Sequence, residues 1–293
     1  MFLVSGPELV LAACRSGVIG AFPAPNARTL EILDQWMGRI SRELGSVAPG
    51  GTSPAPWAQN LVAHSSYERL DGELELVDRY RPPLVITALG SPRAALEVVH
   101  GYGGIVIADV NSVQHARKAA AAGVDGLALV CAGAGGHTGR MSPFAFVAEV
   151  REFFDGLIIV AGGIGNGRGI HAAEQLGADL VSMGTRFIVA EESLAVAEYK
   201  RMVVAADCED LVLTSAFSGA DAYYLRQSIE RAGYDPASLT PKPGMDLTGA
   251  QAKIRAWKDV WSAGQGVGQV SAIEPLALIV ARLRREYEAA RAA

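Results

Sequence analysis

Cysteine is scarce. Cys14, Cys131 and Cys208 are the three in 293 residues, scattered and without a Cys-x-x-Cys pair. Neither a disulfide framework nor a zinc site is indicated, and a reducing compartment is the expectation. Charge is sparse as well: 31 acidic against 26 basic residues, net −5, with no basic block, which argues against nucleic acid as a partner. No apolar run reaches membrane-spanning length. The opening Met-Phe-Leu-Val-Ser-Gly-Pro-Glu lacks the basic region and long apolar core of a signal peptide. These absences describe a soluble, cytoplasmic protein with no membrane partner and no resident metal.

What is abundant is apolar surface and glycine, half the residues and 33 positions respectively. That suits one large domain with close packing and tight turns. Apolar runs alternate with helical patterns every twenty to thirty residues or so, the signature of repeated βαβ units and a parallel sheet. Seven strands are expected, beginning at Gly17, Trp57, Leu84, Gly104, Asp125, Leu157 and Asp179. A closed (β/α)8 barrel needs eight. The missing strand would precede the helix that opens at Pro7, and Phe2–Val4 is too short to supply it. The expectation is a TIM barrel over residues 1–206 whose first strand is truncated, leaving two open edges. Residues 207–293 form a mostly helical C-terminal extension packed on the barrel. Within it an extended segment is expected at Leu211–Phe217 and helices at Lys253–Trp261 and Pro275–Ala290. A further helix over Glu191–Ala206 closes the last barrel unit, and the Gly/Pro/Ser-rich Ser46–Pro56 is a loop.

The chain centres on Leu127–Gly139. It begins as a continuous apolar run, as in a strand buried on both faces. It then breaks into glycines around His137, an imidazole that titrates near neutral pH. A glycine cluster there lets backbone amides approach a flat or anionic ligand. A plain glycine-rich turn with an exposed histidine accounts for the same pattern. Two later strand ends also carry glycine, Gly162-Gly163-Ile164-Gly165 and Gly184-Thr185. In (β/α)8 enzymes the last two strands commonly end in a phosphate site, so Gly163, Gly184 and Thr185 are candidate phosphate ligands; tight βα turns alone are the lesser alternative. A dinucleotide-binding fingerprint fits less well, because this glycine motif comes late and no suitable acidic residue follows.

The blocks Ala132-Gly133-Ala134-Gly135-Gly136-His137-Thr138-Gly139, Ala161-Gly162-Gly163-Ile164 and Met183-Gly184-Thr185-Arg186-Phe187 resemble the nitronate monooxygenase family, formerly 2-nitropropane dioxygenases. The resemblance runs from Met1 to at least Gly268, and flavin enoyl-ACP reductases share much of it. It implies an FMN-dependent TIM barrel that oxidises alkyl nitronates or nitroalkanes with O2 to a carbonyl compound and nitrite. His137 matches the family's catalytic histidine. Gly136 would lie against the flavin, Asn60 near its ring, and Gly162, Gly163, Gly184 and Thr185 around its phosphate. Met1 matches a methionine that touches the flavin, but the Ala-Pro before it and the preceding strand are absent, which suggests a shortened N-terminus.

Other residues stay open. His64 could face the site or cap a helix. Asp109, at a strand end, could bind substrate or belong to an Asx turn. Ser218 and the Gly264–Gly268 loop could close over the flavin. Cys131 reads as a packed thiol, and His100, His115 and His171 as outer-surface residues. A homodimer is possible. An NAD(P)H-dependent enoyl-thioester reductase and a non-catalytic flavin-binding barrel are the alternatives.

Overall fold

The computed structural model describes residues 1–45, 53–242 and 258–293. Helix α1 (Pro7–Arg15) precedes strand β1 (Gly20–Pro23), and α2 (Leu30–Gly45) leads to β2 (Trp57–Val62). The βα pattern continues through α3 (Leu70–Tyr80), β3 (Leu84–Ala88), α4 (Arg93–Gly101), β4 (Ile105–Val110), α5 (Val113–Ala122) and β5 (Gly126–Val130). A two-residue strand β6 (Gly136–His137) interrupts it before α6 (Pro143–Arg151), β7 (Leu157–Ala161), α7 (Gly167–Gln175), β8 (Leu180–Ser182) and the short α8 (Thr185–Ile188). Then come α9 (Ala197–Ala205), β9 (Leu211–Thr214), β10 (Ala222–Leu225), α10 (Arg226–Arg231) and α11 (Leu276–Ala292).

Local signals set many of these bounds. Ser112 caps α5 by accepting the His115 amide at 3.2 Å, and Gly123 ends it in the left-handed region at φ +93°. Asn166 caps α7 through the Gly169 amide.

The parallel strands run in the order β1-β2-β3-β4-β5-β7-β8, a seven-stranded sheet curled into a half-barrel. Side chains alternate across it. Ala58, Leu84, Ile107, Ala128 and Ile159 pack together inside the curl. Leu61, Val85, Val106, Leu127, Leu129 and Ile158 face outward into the helical layer with Phe146 and Val147. By the same parity Asn60 and Asp109, two residues beyond Ala58 and Ile107, point inward above that floor.

The expected opening in the barrel is present. Among the described residues β1 and β8 do not pair, and Phe2–Val4 is part of a turn rather than a strand. The Asn26 side chain pins that turn, donating to the carbonyls of Met1 (2.9 Å) and Ser5 (2.7 Å) and accepting the Leu3 amide. On the outside, α11 spans the gap. Its Leu276, Ile279, Val280 and Leu283 pack with Leu9 and Ala13 of α1, and the helix lies along α7. Glu274, buried just before it, pairs with Arg186 at 2.8 Å and Arg282 at 2.6 Å.

The C-terminal segment, expected to be mostly helical, carries α10 and α11 and also a pairing the sequence did not reveal. It contains an antiparallel hairpin, β9–β10, and β10 pairs in turn with β6. The expected Leu211–Phe217 extended segment is β9. The helix expected from Glu191 begins only at Ala197, because the Lys200 ammonium takes the carbonyls of Ala190, Glu191 and Ser193, and the Glu191 amide donates to the Glu274 carbonyl. Of the helix expected at Lys253–Trp261, residues 253–257 lie outside the described residues, and Lys258–Asp259 is a turn. Residues 46–52 of the expected loop likewise lie outside them. No helix among the described residues is long and apolar enough to cross a membrane.

Candidate active site

A cavity of about 2110 Å³ opens at the C-terminal ends of the parallel strands. Met1, Asn60, His64, Asp109, Gly136, His137, Gly162, Gly163, Gly184, Thr185 and Ser218 all line it. The fold therefore gathers every candidate residue around one space. The volume exceeds the roughly 300–1,000 Å³ usual for a small-molecule site.

The loop after β5 carries His137. Its backbone would be a floppy glycine run if left alone. Strand β6 instead pairs His137 with Ala222 and Gly136 with Tyr223 of β10. The next amide, Thr138, donates to the Asp221 carbonyl at 3.0 Å, and the Asp221 carboxylate takes Arg140 at 2.7 Å. The Thr138 hydroxyl donates to the Cys131 carbonyl at 3.1 Å, turning the loop back onto β5. The imidazole is half-buried, and burial pulls its pKa below the ordinary 6.5. It is neutral at physiological pH and can accept a proton. Cys131 beneath it is buried and its thiol is pushed up to about 12, consistent with a packed, unreactive side chain.

The glycine face lies across the sheet at β7 and β8. Gly162 and Gly163 adopt φ of +132° and +70°, and a Cβ at Gly163 would meet nothing within 4 Å. The Gly163 amide, however, donates to the Gly133 carbonyl at 3.2 Å. What Gly163 offers is thus a side-chain-free wall rather than a donor. Donors come from the start of the four-residue α8, at Gly184 and Thr185, whereas the Phe187 amide of the same turn is taken by the Gly184 carbonyl at 2.9 Å. Gly184 is the cap residue there and Thr185 the first helical residue. The α7 N-terminus is already occupied: Glu286 of α11 accepts the Gly167 amide at 2.9 Å. The Thr185 hydroxyl accepts the Gly264 amide at 2.8 Å, and the Gln265 amide donates to the Gly133 carbonyl at 2.9 Å. The 264–269 segment is thereby laced onto both glycine loops. Met1 packs against Gly184, its sulfur 3.5 Å from where a Cβ would stand.

Asp109 sits half-buried inside the curl. Burial raises its carboxyl to about 7, against the pull of the Met1 amino group and a hydrogen bond from Asn60. His64 is exposed, with Nδ1 2.8 Å from the Ser66 hydroxyl. The Ser218 hydroxyl donates to the Ala220 carbonyl at 3.1 Å. Both line the cavity as turn-forming residues.

Sequence reasoning missed one cluster. Glu73 of α3 is fully buried, with Tyr67 donating to its Oε1 at 2.7 Å and Arg69 at 3.2 Å. Burial lifts its carboxyl to about 7. In the Leu-Asp-Gly-Glu-Leu-Glu-Leu pattern it looks like any solvated glutamate. The clue was an aromatic hydroxyl and a guanidinium six and four residues before it. Nor was the predominance of cations around the cavity foreseen.

The glycine wall, the free helix-turn amides and the surplus volume fit a planar, phosphate-bearing cofactor such as a flavin mononucleotide. Comparisons with known proteins bear on this geometry. A family model described as nitronate monooxygenase matches residues 52–286. A monooxygenase-like protein of Mycobacterium tuberculosis is 36% identical over 184 residues, 62% of this chain and 49% of its own length. A nitronate monooxygenase of Paraburkholderia phytofirmans is 27% identical across 97% of this chain and 90% of its own. Among solved structures, FabK from Thermotoga maritima superposes with a TM-score of 0.79 and 25% identity, covering 100% of this chain and 92% of that one. The chain spans 49%, 61% and 58% of the length of three curated relatives it matches.

Proposed function

This chain belongs to the nitronate monooxygenase family, and from that membership we propose that it is an FMN-dependent enzyme oxidising alkyl nitronates with O2 to a carbonyl compound and nitrite. One observation carries the reading: a half-buried, neutral imidazole and a side-chain-free glycine wall line the same cavity. FMN, when bound, supplies the redox chemistry. The protein's share is binding, orientation and proton transfer. Gly184 and Thr185 hold the phosphate with first-turn amides. Gly162 and Gly163 let it approach, Met1 and Asn60 border the ring, and Gly136 lies against it. His137 takes the acidic α-proton of a neutral nitroalkane, and its imidazolium then faces the nitronate anion. Asp109, held near 7 by burial, borders the substrate with His64 and Ser218. Residues 1–206 act as the barrel unit, while 207–293 fix the His137 loop and cover the flavin.

The cavity's size favours a second reading, an enoyl-thioester reductase using NAD(P)H, since a small nitronate beside a flavin leaves much of the space unfilled. Anaerobic mixing of the purified protein with propyl-2-nitronate separates the two. Visible flavin bands that bleach and return with O2 support the oxidase chemistry. Bleaching by NADH or NADPH alone supports the reductase, and protein that takes up no flavin refutes both.

A further inference from the structure

We propose that the cavity mouth holds a second anion site, apart from the cofactor-phosphate wall, in which Arg28, Arg69, Arg93 and Lys118 receive the polyphosphate tail of a nucleotide-bearing substrate or co-substrate. The proposal rests on the cavity being the active site and deepens that reading by naming the class of its second ligand.

The first observation is a reversal of charge. The chain carries 31 acidic and 26 basic residues. Yet the charged side chains lining the cavity among the described residues are these four, Lys242 and Lys258, against Asp109 as the sole carboxylate. A concave wall of one sign, backed by low-dielectric protein, focuses potential into the opening. One nitronate charge does not call for so many cations, and the flavin phosphate is expected elsewhere.

The second is placement. Arg28 follows β1, Arg69 follows β2, Arg93 follows β3 and Lys118 lies on the helix after β4. Arg28 and Arg69 thus stand between a strand and its helix, Arg93 opens α4 and Lys118 lies midway along α5, all on units of the sheet away from the β7 and β8 glycines. They are cavity-lining rather than scattered on a convex face, which favours a small molecule over an acidic protein surface.

The third is that these cations are largely unneutralised: Arg28, Arg93 and Lys118 are exposed at the cavity wall, and Arg69, half-buried, is held by hydrogen bonds. Among the described residues Arg28, Arg93 and Lys118 have no carboxylate within 4.0 Å, as an ion pair would require. Arg69 leans on its neighbour, donating to the carbonyls of Ala27 at 3.0 Å and Arg28 at 3.4 Å. Its partner Glu73 is itself half-protonated near neutrality. The turn that leads into Arg93 is tightly packed: a Cβ on Gly90 would stand 1.9 Å from the Ala63 carbonyl oxygen, and Leu89 sits at φ +64°. A bulky residue in that region is strained and persists only where its surroundings force it. Guanidinium groups match phosphate oxygens in pairs, and Arg69 is already oriented by its carbonyl contacts.

Two small molecules share this chemistry, the nucleotide end of a thioester carrier and a reduced nicotinamide dinucleotide. Isothermal titration of the full chain with coenzyme A, and separately with NADPH, tests both. The wild type is compared with Arg93→Glu/Lys118→Glu, with Arg28→Glu, and with Arg285→Glu on exposed α11 as a charge control. Flavin content and thermal midpoint are recorded for each. The expected result is binding of at least one titrant, weakened about tenfold or more by the cavity reversals and left unchanged by the control. Coenzyme A alone would assign the tail to a thioester substrate, and NADPH alone to a reductant. Binding of neither, equal binding by wild type and the folded reversals, or capture of an acidic carrier protein without coenzyme A would overturn the proposal. Tail binding by a protein that takes up no flavin would remove the flavin reading and leave this site standing.

Discussion

Replacing Gly163 by alanine, with Gly103→Ala as its companion, separates backbone strain from cofactor contact. The two glycines sit at φ +70° and +80°, and a Cβ at either meets nothing within 4 Å. The conformational cost is therefore the same for both, about 1–2 kcal/mol for an L-residue in the left-handed region. At roughly 2–4 °C per kcal/mol for a chain of this size, each variant should melt a few degrees below wild type. Only Gly163 lines the cavity. A methyl group there stands where the cofactor phosphate would pass and holds it off the Gly184 and Thr185 amides. Losing one charge-assisted hydrogen bond is worth about 1.5–3 kcal/mol, or roughly a 10- to 100-fold weaker flavin complex. Equilibrium dialysis followed by flavin absorbance reads the affinity, and calorimetry reads the melting temperature. If both variants hold flavin as the wild type does, the phosphate is not at this wall. If Gly103→Ala loses flavin equally, strain explains the effect and the assignment fails.

His137→Ala should slow oxidation of neutral nitroalkane far more than of preformed nitronate, because only the former needs a base; equal losses in steady-state rates would remove the general-base role. The folded pKa of His137 lies below 6.5, so the acid limb of kcat/KM for neutral nitroalkane should fall below that pH and disappear in the variant. Glu73 has a folded pKa of about 7 against an ordinary 4.5. The folded state keeps the proton between those values, so its contribution to stability is full below 4.5, declines as pH rises and is gone above 7. Glu73→Gln should then stabilise the protein by about 2–3 kcal/mol near pH 8 and by little near pH 4.5; a gain independent of pH in urea titrations would contradict the buried-acid account. Thr185→Val strands the Gly264 amide and should cost about 1–3 kcal/mol. Thr185→Ser should restore both stability and flavin retention, and a serine variant as weak as valine would show that the hydroxyl is not what matters.

Much of the site was legible because its signals are local. The apolar run Leu127–Val130 has a strand's length, and the glycines that follow it and β7 announce turns. Asn60 came from the family resemblance and Asp109 from its place at a strand end, and both line the cavity. The illegible parts depend on residues far apart in sequence. Strand β6 is two residues long, and its partner Ala222–Tyr223 lies more than eighty positions on, so no period could reveal it. The late start of α9 is set by a lysine amine reaching back to three carbonyls, where local propensity favoured helix. Gly163 was expected as a phosphate ligand, but its amide is spent on Gly133, a contact between two loops. The expectation of a ring with one defective strand missed how α11 covers the opening.

That covering helix has a consequence for how the protein is made. Residues 276–283 bury their apolar side chains against Leu9 and Ala13, partners translated some 270 residues earlier. A ribosome working at roughly 5–20 residues per second leaves the first helix without this neighbour for tens of seconds, and every strand of the sheet is synthesised before it arrives. Closing so long a loop is slow and leaves apolar surface open to other chains in the meantime. The exposed flank of α1 is the place where a chaperone would be useful. Joining the two ends by circular permutation, so that α11 emerges directly before α1, would convert this last long-range contact into a first, local one.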